Sequence, residues 1–141
     1  GHSASGFKMH KFEIQIIQAN QSQQFVFKNI VESIMFIKSV ADININEHVP
    51  NSHIVQLFEE VIDAMVFELY FEEDFKKADI AFIKYAERDF ESIEGKSEEE
   101  AIKIIHSAYQ KLREKDNEIR NNLQLMDSRL HDLVMPIKTA K

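Results

Sequence analysis

The 141-residue chain contains no cysteine and no tryptophan. Without cysteine it has no disulfide, no thiolate zinc site and no thiol nucleophile. That absence fits a reducing compartment, and a cytoplasmic location is expected. Glycine occurs three times and proline twice, so turns are few and helices can run long. Three glycines cannot build a phosphate-cradling loop. No Gly-Lys-Ser/Thr, no dinucleotide fingerprint and no Gly-x-Ser-x-Gly elbow occurs. No apolar run reaches the roughly 18 residues needed to span a bilayer. The start lacks the charged region and apolar core of a signal peptide. No membrane partner is therefore expected. No internal repeat or low-complexity segment is present.

What is there is a folding composition. Apolar residues make up 44% and charged residues 29%, with 11 Phe, which suits one domain with a modest core. Gly1 to Gly6 are small, polar and aperiodic, and read as an expression remnant. They suggest a piece cut from a longer protein, with a single helical domain over 7–141. The net charge of −7 is unevenly spread. Residues 48–100 hold 5 basic and 15 acidic side chains, net −10, whereas residues 101–141 hold 8 and 5, net +3. The middle would repel a phosphate backbone, and the last part would touch one weakly.

The periodicity predicts an all-α fold, a bundle of about four helices, preceded by a short strand. Lys11 to Ile17 alternates, with Phe12, Ile14 and Ile16 on one side. A lone strand is unstable in water, so it needs a partner here or in a sheet outside this chain. Asn20 or Ser22 is placed to cap a first helix over about Gln23 to Ala41. Its apolar stripe includes Phe27, Ile30, Ile34 and Ile37. Asn51 or Ser52, after Pro50, caps a second helix from about His53 to Phe71, apolar on several faces and central to the bundle. A third covers about Glu73 to Glu91. Acidic Glu72, Glu73 and Asp74 favour a break from the second helix. Ser97 with Glu100 forms a capping box for a fourth helix over 97–135. Its apolar residues, from Ile105 through Leu112, Ile119 and Met126 to Leu133, are spaced mostly by three and four, which gives it coiled-coil character. At about 1.5 Å per residue it would run roughly 55 Å until Pro136 stops it. Lys115 and Asn122 interrupt the seam.

No reactive constellation is complete. His106 and His131 lie too far apart on the predicted fourth helix to share an ion, and neither Glu-x-x-His nor His-Glu-x-x-His occurs. Glu59, Glu60, Asp63 and Glu68 read as a solvated stripe or as caps for a neighbouring helix. Asp89 with Glu94-Gly95-Lys96 has the residue types of a metal-dependent nuclease, at a spacing far too short. The basic residues Lys103, Lys111, Arg113, Lys115, Arg120 and Arg129 form no single stripe, so a solvated flank is favoured over a DNA contact. No catalytic, cofactor-binding or metal-ligating residue is assigned.

Two segments carry a resemblance. Gln23-Gln24-Phe25-Val26-Phe27-Lys28-Asn29-Ile30-Val31-Glu32-Ser33-Ile34-Met35-Phe36-Ile37-Lys38 follows a pattern Gln-Gln-x-Phe-x-x-Leu-Val-Asp-x-Ile-Leu-x-x-Lys. Glu59-Glu60-Val61-Ile62-Asp63-Ala64-Met65-Val66-Phe67-Glu68-Leu69-Tyr70 follows Glu-x-x-Ile-Asp-x-Leu-Val-Tyr-Glu-Leu-Tyr. In that order, after a strand, they resemble the C-terminal target-recognition tail of type II and type IIG restriction-modification N6-adenine DNA methyltransferases. The likeness covers about half the chain, within 7–94, and leaves out the last helix. The family's Asp-Pro-Pro-Tyr-type motif and S-adenosylmethionine loop are absent. The resemblance therefore implies a non-catalytic helical module. S-adenosylmethionine would belong to the parent protein, DNA would be met through that parent, and Asp63 and Glu68 would hold helix ends or a neighbouring domain. The alternative is a free-standing oligomerisation or adaptor domain, with a homodimer formed through the 97–135 helix.

Overall fold

The computed structural model describes residues 19–139. The expected strand over Lys11 to Ile17 lies outside them. Among the described residues the fold is all-helical, with no strand. Seven helices replace the expected four. They are α1 (Gln21–Ser39), α2 (Asn51–Tyr70), α3 (Glu72–Ala78), α4 (Ile83–Asp89), α5 (Glu98–Arg113), α6 (Glu118–Arg129) and α7 (His131–Thr139). None is long and apolar enough to cross a membrane.

The first two helices follow their apolar stripes. Asn20 caps α1 by accepting from the Gln23 amide at 2.8 Å, and the Gln23 side chain returns the bond to the Asn20 amide at 3.1 Å. Ile30, Ile34 and Ile37 of α1 are buried against α2, whose Ile54, Phe58, Val61 and Met65 are sealed from solvent. Phe58 meets Phe90 edge-on at 5.0 Å, and Phe75 meets Phe82 at 6.2 Å. These rings tie the short helices to the centre of the core.

The cap expected for α2 is corrected. Pro50 occupies the N-cap position and makes no side-chain cap bond. The Asn51 side chain turns backward instead. Its Oδ1 accepts from the Ile45 amide at 3.1 Å, and its Nδ2 donates to the Ile43 carbonyl at 2.7 Å. That side chain satisfies the preceding loop, which has no ladder of its own.

The expected third helix is two helices. Asp79 adopts φ +58, ψ +44, the left-handed conformation that ends α3. The Asp79 amide donates to the Lys76 carbonyl and the Ile80 amide to the Phe75 carbonyl, the two bonds of a Schellman stop. Acidic residues do open α3, directly after the break at Phe71.

The 97–135 helix is corrected most. Ser97 caps its start, accepting from the Glu100 amide at 3.2 Å. The helix then ends at Arg113, restarts after Asn117, and breaks again at Leu130. The charged run Glu114-Lys115-Asp116 stays exposed and cannot be buried in a seam, and Asn117, which is buried, serves as the cap of the next helix. Folding back in this way buries Ile105, Ala108, Leu112, Ile119, Met126 and Leu130 in the chain's own core, so the seam is occupied within one molecule. Pro136 lies inside α7 and does not stop it. Its ring nitrogen lacks the amide that would bond back to Asp132, a loss confined to one bond.

Asp79→Gly should stabilise the fold by roughly 0.5–1 kcal/mol, because only glycine adopts left-handed φ without a Cβ penalty. A urea midpoint shifted upward at unchanged slope checks this. A lowered midpoint contradicts the assigned stop.

Candidate functional site

The candidate site is the polar girdle around α4. Seven residues do not hold a helix by themselves, and four unpaired amides open every helix. Here the Glu68 carboxylate of α2 supplies the missing acceptor. Its Oε1 receives the Phe82 amide at 3.0 Å and the Ile83 amide at 2.9 Å. Glu68 thus caps a neighbouring helix, one of the two roles the sequence offers it. Burial raises its carboxyl above the ordinary value. The Ile83 and Phe82 amides and the Lys84 charge pull it down, and Glu72 pushes it up.

The connector before α4 is held from the other side. Asn122 Nδ2 donates to the Ala81 carbonyl at 2.7 Å, and an Arg129 guanidinium nitrogen donates to the Ala78 carbonyl at 2.9 Å. Both donors stand on α6, so the polar backbone of the α3–α4 connector is satisfied by side chains from α2 and α6.

At the far end of α4, Asp89 is 3% exposed at its side chain. Arg88 donates to it from Nε at 2.8 Å and from a terminal nitrogen at 3.1 Å. Asn117 Nδ2 donates at 2.9 Å from the start of α6. The same Asn117 accepts the Arg120 amide at 3.0 Å, so one buried side chain caps α6 and ties it to α4. Arg88 reaches on to Glu118 at 2.9 Å. Asp89 and then Glu118 raise the Arg88 proton affinity, and the Arg88 bond lowers the Glu118 carboxyl.

The other residues singled out by sequence do not converge. Glu94 pairs with Lys28 of α1 at 3.3 Å and so does not complete a set with Asp89. His106 is half-buried with Nε2 3.3 Å from Asn46 Nδ2, whereas His131 opens α7 exposed. The Asn46 Oδ1 accepts the His48 amide at 2.8 Å, which leaves its Nδ2 facing His106 Nε2. Lys103 pairs loosely with Glu99 at 3.8 Å, and Arg120 closes the end of α5 through the Arg113 carbonyl. Glu59, Glu60 and Asp63 line a groove beside α1. Among the described residues, no group of three or more His, Asp or Glu is placed to hold a metal ion.

An open groove of about 1280 Å³ runs beside the girdle, lined by Glu68, Lys84, Tyr85, Glu118 and Asn122 among others. Glu68 already receives two amides and Glu118 already receives Arg88. The arrangement orders backbone, and it leaves these two carboxylates engaged. Comparison with known protein families, with curated proteins and with solved structures finds no match.

Two outcomes follow for stability. Glu68→Ala orphans two amides and should cost about 1–3 kcal/mol, whereas Glu68→Gln keeps an acceptor and should cost under about 1. A carboxyl raised in the fold binds its proton more tightly folded than unfolded, so its contribution falls as pH rises from the ordinary carboxylate value through the raised one. Wild type should therefore gain on Glu68→Gln as pH drops from 7 towards 4 in paired urea titrations. A gain in the opposite direction contradicts the assignment. For the second clamp, Asp89→Ala and Asn117→Ala should each cost about 2–4 kcal/mol, with a coupling of about 1–3 in the double-mutant cycle. Additive losses would show that the two side chains act separately.

Proposed function

We propose that this chain is a non-catalytic helical module of a larger protein, in the manner of the C-terminal tail of a restriction-modification N6-adenine DNA methyltransferase. The observation that carries the reading is the use made of Glu68 and Asp89. The two carboxylates look available in the sequence, and both are engaged in fixing α4 against α2 and α6. The residues behind the resemblance supply α1 and α2, which pack on one another as the first layer of the bundle. In this role the module stiffens a recognition region and presents a fixed surface to the rest of the parent. DNA and S-adenosylmethionine are handled by the parent. The acidic middle of the chain, net −10 over residues 48–100, disfavours a phosphate backbone.

The isolated chain should transfer no methyl group from S-adenosylmethionine to DNA, and should bind duplex DNA more weakly than about 10 μM at physiological salt, within the nonspecific range. Radiolabelled methyl transfer and fluorescence anisotropy check this, and robust methylation by the chain alone contradicts it. The genomic reading frame separates the specific family from the general role. Several hundred coding residues upstream, carrying an Asp-Pro-Pro-Tyr-type motif, are expected. A frame opening near Phe7 would favour a free-standing adaptor.

A further inference from the structure

We draw no further inference here: the strongest candidate, the side-chain oxygens Asn29 Oδ1 and Glu32 Oε1 buried one turn apart on α1 without a hydrogen-bond donor, lines neither groove, and nothing among the described residues shows room for a ligand beside it or what would bind there.

Discussion

The fold depends on one carboxylate supplying what a short helix cannot supply for itself. Glu68 receives the Phe82 and Ile83 amides and so fixes where α4 begins. A seven-residue helix has too few internal bonds to offset its nucleation cost. Its position must come from outside, and α2 is the longest rigid element able to provide it. Asp89 repeats the device at the other end of α4, reaching Asn117 and through it the start of α6. Arg88 lies against Asp89 and offsets the charge, which would otherwise stand unfavourably at a helix C-terminus. Between the two clamps Ala86 is sealed from solvent and Phe90 rests edge-on against Phe58. Packing and polar satisfaction therefore coincide on one small element.

This arrangement bears on the proposed role. Half-buried Glu68 holds two main-chain amides and buried Asp89 holds the Asn117 cap, and the proposed role rests on that use of the two carboxylates. Removing Glu68 leaves the Phe82 and Ile83 amides without their acceptor, and removing Asp89 leaves the Asn117 side-chain amide without its own, in surroundings where an unpaired polar group is costly. The same economy explains the last third of the chain. The seam of Ile105, Leu112, Ile119 and Met126 is covered by the molecule itself once the chain folds back at Asn117.

The sequence made the all-helical class legible, together with α1, α2 and the Ser97 start of α5, because each carries a long apolar stripe or a recognisable cap. Glu68 was legible as a capping side chain, though its target was not. The breaks were harder to read. Asp79 ends α3 in a left-handed conformation without the glycine that usually signals it. Asn117 sits where a helical period continues on both sides, so periodicity alone runs through it. The polar run 114–117 and the interrupting Lys115 were the available signals, and they count only once the seam is required to be dry. Asn122 and Arg129 bond carbonyls 41 and 51 positions away, and no local pattern encodes a partner at that separation. Asn51 reads as a cap by its neighbourhood to Pro50, but the loop behind it had greater need of a donor and an acceptor.

The central claim is that α4 is held from both ends and opens only when the whole core opens. Native-state hydrogen exchange of the Ala86 and Phe90 amides tests it most directly, since both donate within or at the end of this helix. The account predicts that these amides exchange at the free energy of global unfolding, alongside those of α1 and α2. Exchange through a local opening, with α1 and α2 still protected, would contradict it.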